Sequence, residues 1–113
     1  MKVSELRPGA SRVDIKVRVL KLGEEKTLNS RSGGTLRLVE AEVGDTTGTV
    51  ILNLWQESIG MVNEGDVVDI KNGYVTSFRG EMKLNVGKYG KMTVIDDPTF
   101  PSVAQIRSRK TSI

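Results

Sequence analysis

The chain has no cysteine and no histidine among its 113 residues. That excludes disulfides, zinc ribbons, thiol nucleophiles, imidazole acid–base chemistry and imidazole metal ligands together. No apolar run approaches the ~18 residues of a membrane span. Met1-Lys2-Val3 is not followed by the apolar run of a signal peptide. The expectation is a cytoplasmic protein, nucleoid-associated if prokaryotic, without membrane, cofactor or metal. Neither sign of charge dominates. Seventeen Lys and Arg face 14 Asp and Glu, a net charge of +3, which permits a polyanionic partner without requiring one. Aromatics are scarce: Trp55, Tyr74, Phe78, Tyr89 and Phe100.

What the chain does have is period-2 alternation. Val50, Leu52 and Leu54 alternate with Thr49, Ile51, Asn53 and Trp55, a strand with one face in a core. The protein's largest ring falls on the other face. Val13, Ile15, Val17 and Val19 mark a first strand, and the phase slips at Leu20 and Leu22, which implies a bulge. Residues 23–34 read as a polar loop. A second strand over 35–44 changes phase near Leu38-Val39, implying another bulge. Gly44-Asp45-Thr46-Thr47-Gly48 is a hairpin turn.

Residues 56–62 read as about one turn of helix. Val67, Val68 and Ile70 open a fourth strand, and Asn72-Gly73 breaks its pattern. Beyond the break Val75 takes one phase; Tyr74, Thr76 and Phe78 take the other. Met82, Leu84 and Val86 mark a fifth strand. Met92, Val94 and Ile95 extend that sheet or pack beneath it. From Asp96 periodicity fades and the end is basic, so 1–95 is expected as the domain and 96–113 as a flexible tail.

Five strands with a short helix between strands 3 and 4 are the layout of an all-β, Greek-key OB-fold barrel. In that fold the face of strands two and three, with the first and last hairpin loops, binds oligonucleotides. Trp55, Tyr74 and Phe78 are therefore candidate stacking platforms for bases. Arg37, Arg79 and Lys83, with Lys26 and Arg31 of the first loop, are candidate phosphate contacts. Plainer readings stand beside these: Tyr74 or Phe78 as core at the barrel rim, and Trp55 as a cover on the barrel end. Lys16, Arg18 and the terminal cations read as solvated surface. Gly33-Gly34 lacks the Gly-Lys-Ser/Thr ending of a phosphate loop. Asp96-Asp97 precedes a proline and carries no catalytic constellation, so no enzyme is expected.

Several stretches together resemble one family: Leu6-Arg7-Pro8-Gly9, Val43 to Gly48, Leu54-Trp55, Glu64-Gly65-Asp66-Val67-Val68, and Asn72 to Gly80 with its Phe78-Arg79-Gly80. In order and spacing they are similar to the short single-OB single-stranded-DNA-binding proteins (SSB) of archaea and their eukaryotic relatives. The resemblance implies that Trp55, Tyr74 and Phe78 form the stacking trio. It also implies binding of single-stranded DNA with little sequence preference, in replication, recombination or repair. Some eukaryotic relatives carry a fourth ring where this chain has Asn85. An OB module for RNA, or one that holds a protein segment, is the competing expectation. Replication or repair proteins are possible partners of a monomer or weak oligomer.

Overall fold

The computed structural model describes the backbone of residues 1–111 and the side chains of residues 1–108. Six strands run in order: β1 (Val13–Asn29), β2 (Thr35–Asp45), β3 (Gly48–Trp55), β4 (Val67–Phe78), β5 (Glu81–Asn85) and β6 (Lys91–Ile95). A helix, α1 (Val103–Thr111), follows. Five strands form a ring in the order β1-β2-β3-β5-β4, and β1 closes it by pairing with β4. The β3–β5 contact is parallel and the others are antiparallel. This is the expected OB-fold barrel.

Closure depends on the length of β1. Its first half, Val13 to Arg18, lies against β4, and from Arg18 onward it lies against β2. The shift in register between Val19 and Lys21 is the bulge implied by the phase slip at Leu20, and it bends the strand between its partners. Inside the ring Val13, Val17, Val19, Val43, Leu52, Val68, Ile70 and Leu84 are fully buried. Each such side chain contributes roughly 1.5–3 kcal/mol by leaving water.

Two expectations about β1 and β2 need correction. Residues 23–34 are not a loop: β1 and β2 continue as a two-stranded ribbon, and only 30–34 form its tip. The ribbon has no core beneath it, so Glu24, Glu25, Lys26 and Thr27 are exposed on both faces and show no alternation. The second bulge is not at Leu38-Val39. The β2–β3 register runs unbroken from Leu38↔Trp55 to Asp45↔Gly48, and the irregularity sits on β1 between Leu22 and Glu25. The short helix expected between β3 and β4 is a single 3-10 turn, Gln56–Ser58; Ile59 packs on the core and Val62 is buried in it. Met92, Val94 and Ile95 extend the sheet, the first of the two expected placements: they lie in β6, which pairs with the first half of β4.

The N-terminal turn is fastened by the Gly44–Gly48 hairpin. Asp45, buried, accepts the Val3 N–H at 3.0 Å and the Thr47 N–H at 2.7 Å. Val3 and Leu6 thereby seal one end of the barrel.

The segment expected as a tail lies, through Ser108, against the barrel; residues 112–113 lie outside the described residues. Ile106 is buried. The Arg18 guanidinium donates to three carbonyls: Gly65 at 2.7 Å, Pro101 at 2.7 Å and Phe100 at 3.0 Å. It also sits 5.8 Å from the Phe100 ring centroid. Lys16 Nζ meets Asp97 Oδ2 at 2.9 Å. The Asp97 carboxyl is held down to about 2 by the hydrogen bond from Lys16 and then by that from Thr99. Lys16 and Arg18, read as solvated surface, are thus clasps. Arg18→Met removes three donors at once and should release the segment. We expect faster amide exchange at Ile106 and new protease cleavage after residue 95, with protection retained in β1 and β4. Unchanged cleavage would mean that Ile106 and the Lys16–Asp97 and Arg107–Glu42 pairs hold the segment without Arg18.

Candidate nucleic-acid interface

The outer surface of β2, β3, β5 and β4 is one continuous face, and register places its side chains in rows. Glu40, Asn53, Asn85 and Tyr74 share one row. Glu42, Ile51, Lys83 and Thr76 share the next. Trp55 pairs with Leu38 beyond the first row, and Phe78 pairs with Glu81 beyond the second.

All three predicted rings therefore lie on one face, but not at one end of it. Strands are spaced at ~4.8 Å and residues at ~3.3 Å. On that spacing Tyr74 and Phe78 are about 13 Å apart, and Trp55 is about 12 Å from Tyr74 and about 22 Å from Phe78. Their exposure rises along the way. Trp55 is half-buried, Tyr74 is 39% exposed and Phe78 is 71% exposed.

Tyr74 faces outward because of one extra residue. Val13 pairs with Gly73 but Ile15 pairs with Ile70, so β4 holds a one-residue bulge at Lys71-Asn72. Before it, Val68 and Ile70 point inward; after it, Gly73 and Val75 do. A one-residue slip exchanges the faces of a strand, and here it turns the aromatic phase outward. Asn72 adopts φ +56°, a left-handed conformation that asparagine tolerates better than most residues. Its backbone N–H donates to Asp14 Oδ1 at 2.9 Å and its side chain to the Tyr89 carbonyl at 3.3 Å. Sequence pattern locates the break and cannot say which way Tyr74 turns.

The middle of the face is a polar floor. Asn53 Nδ2 donates to Asn85 Oδ1 at 3.0 Å, and Asn85 Nδ2 donates to Thr76 Oγ1 at 3.1 Å. Asn85 is buried, and Asn53 Oδ1 is buried without a hydrogen-bond partner among the described residues. Neither asparagine was among the predicted site residues.

The five predicted cations are placed unequally. Lys26 and Lys83 both reach Glu40, each at 2.8 Å, and Lys83 also meets Glu81 at 3.2 Å. These bonds, Lys26 first, hold the Glu40 carboxyl below its ordinary range. The bond to Glu40 raises Lys83. Arg37 lies 3.7 Å from Glu25. Arg31 is exposed at the ribbon tip. Arg79 lies 5.1 Å from the Phe78 ring centroid. It and Gly80 form a two-residue turn with φ +53° and +80°, the type I′ geometry of tight hairpins. Glu40 was not foreseen as an organiser, because its partners are 14 and 43 residues away.

Among the described residues no cluster of Asp and Glu suits a metal ion, and no helix is long and apolar enough to cross a membrane.

The profile of the family described as "Single-stranded DNA binding protein Ssb-like, OB fold" matches residues 6–94. The chain is 38% identical over 105 residues to the single-stranded DNA binding protein Ssb of Saccharolobus solfataricus, covering 93% of this chain and 70% of that protein. Its fold is similar to the solution structure of a hypothetical Arabidopsis thaliana protein, with TM-score 0.74, 26% identity and coverage of 89% and 76%. It is also similar to a replication factor A related protein from Methanobacterium thermoautotrophicum, with TM-score 0.71, 27% identity and coverage of 85% and 90%.

The Glu40 network sets a pH dependence. A carboxyl lowered by folding contributes stability above its unfolded value, and that stability is lost as pH falls through its folded value. Glu40→Gln should lower stability by about 1 kcal/mol at pH 7. The gap between wild type and variant should close as pH drops below the ordinary glutamate value of 4.5. Thermal melts of both proteins at pH 7 and pH 3.5 check this; a gap that stays constant would contradict it.

Proposed function

The chain belongs to the Ssb-like OB-fold family of single-stranded-DNA-binding proteins, and on that premise we propose that it binds single-stranded DNA across the outer face of β2, β3, β5 and β4. Bases stack on Trp55, Tyr74 and Phe78. Phosphates are neutralised by Arg79 and Arg31, and by Lys26, Lys83 and Arg37 where the strand displaces their carboxylates. The observation that supports this most is the set of three rings on one face, Tyr74 and Phe78 turned there by the β4 bulge, progressively exposed along it. A ring that served only the core would not be turned outward at 71% exposure, as Phe78 is.

Each ring contributes roughly 1–3 kcal/mol by stacking, and every base offers a π-face, so little sequence preference is expected. The Asn53–Asn85–Thr76 floor keeps the ground between rings flat and polar, which suits base edges. Such a protein is non-enzymatic and would hold unwound strands during replication, recombination or repair.

The test is a fluorescence titration of the single Trp with oligo-dT, oligo-rU and duplex DNA at two salt concentrations. Strong quenching by oligo-dT, weak response to duplex and lower affinity at high salt are expected. Trp55→Ala should weaken oligo-dT binding, followed by anisotropy of labelled DNA, by about 5-fold or more while the barrel still melts cooperatively. A preference for oligo-rU would favour an RNA module. No response to either single strand would sink the reading.

Arg79 allows a second test. A left-handed conformation is unfavourable for an L-residue by roughly 1–2 kcal/mol, with asparagine the least penalised after glycine. Arg79→Asn should therefore raise stability slightly while weakening oligo-dT binding and reducing the salt slope by about 0.7, the value of one single-strand phosphate. A variant that gains stability and keeps full affinity would remove Arg79 from the site.

A further inference from the structure

Tyr89 lies in the turn before β6 and is 83% exposed, the most exposed large hydrophobic side chain among the described residues. Its surroundings are built rather than accidental. The Gly87–Gly90 turn is closed by the Gly90 N–H on the Gly87 carbonyl at 3.0 Å. It is tied to the β4 bulge by the Asn72 side chain on the Tyr89 carbonyl. The turn sits close enough to β4 that a Cβ on Gly87 would lie 2.8 Å from a Tyr74 ring carbon. Between turn and strand is an open cleft of about 350 Å³ with Tyr74 and Tyr89 on its walls. Gly73, Gly87 and Gly90 leave its lining free of side chains there. Clefts of roughly 300–1,000 Å³ with aromatic walls accept planar ligands.

The charge around the cleft fits a phosphodiester. Lys88 Nζ is 5.8 Å from the Tyr89 ring centroid. Arg12, on the lining, is held at φ +53°. The neighbouring carboxylate of Asp14 is engaged as acceptor of the Asn72 N–H. The cleft also continues the proposed face: Phe78 and Tyr74 lie on β4, and Tyr89 of the adjoining turn follows them beside the bulge.

We propose that Tyr89 is a fourth stacking platform, and that the cleft between Tyr74 and Tyr89 takes a base of the same single strand, with Arg12 and Lys88 on the adjoining phosphates. The inference rests on the face described above and extends it past the barrel rim.

The test compares wild type, Tyr89→Ala and Tyr89→Phe, using Trp55 fluorescence with oligo-dT, the number of nucleotides bound per protein, and thermal melting. Tyr89→Ala should weaken oligo-dT binding by about 5-fold or more and shorten the bound stretch by about one nucleotide. Tyr89→Phe should bind as wild type, and all three should melt alike. Equal binding by wild type and Tyr89→Ala would overturn the inference while leaving the three-ring face intact. Loss of binding in Tyr89→Phe as well would show that the hydroxyl, not the ring, is used, and would also overturn it. A lowered melting temperature in Tyr89→Ala would make the ring a structural support and have the same effect. Failure of wild type to bind oligo-dT would instead remove the underlying reading of the face.

Discussion

β4 is paired with β1, β5 and β6, and it can serve all three only because it gains a residue at Lys71-Asn72. Its first half must send Val68 and Ile70 into the core beside β1, and its second half must send Val75 into the same core beside β5. An unbroken strand with Ile70 inside would carry Tyr74 inside as well, since the side-chain period is 2. The bulge shifts the phase, and the two tyrosine-bearing features follow from it. Tyr74 turns to the outer face, and the distorted backbone at Asn72 gives the Gly87–Gly90 turn its anchor. A local irregularity that costs one ladder position thus sets both the direction of the central ring and the position of the outermost one.

Most of the barrel was legible because most of it is half-buried. Where one face packs on the core, as over Gly48–Trp55, alternation in sequence is alternation in space, and Trp55 is assigned outward by phase alone. The same logic fails where no face is buried. The end of the ribbon, 27–29 against 35–37, has only its own cross-strand pairs and no buried face, so the polar stretch leading into it reads as loop. It fails differently at Leu38. That residue is apolar because it lies beside Trp55 on the outer face, so two adjacent apolar residues imitate a bulge that lies instead on β1. In the C-terminal segment a single buried side chain, Ile106, and carbonyls taken by Arg18 hold the chain. Neither leaves a periodic trace.

The rings of the candidate site were legible and its electrostatics were not. Residue types alone suggest five free cations around a groove. In space, Lys26 and Lys83 converge on Glu40, Arg37 lies beside Glu25, and Arg107 of α1 reaches Glu42 at 3.0 Å. Pairings of this kind join residues far apart in sequence on neighbouring strands, and only the register of a closed sheet brings them together.

This arrangement decides which force dominates on the proposed reading. A lysine already bound to a carboxylate must exchange one anion for another when phosphate arrives, so its net gain is small. It also releases fewer condensed counterions than a free cation, which flattens the dependence on salt. Stacking carries no such penalty, because half-exposed rings such as Tyr74 lose only water. Three rings at roughly 1–3 kcal/mol each give a gross ~3–9 kcal/mol, comparable with the ~8 kcal/mol of a micromolar complex. Affinity then resides mainly in the aromatic path. On that reading the carboxylates act as internal counterions that keep a protein of net charge +3 from holding every polyanion it meets.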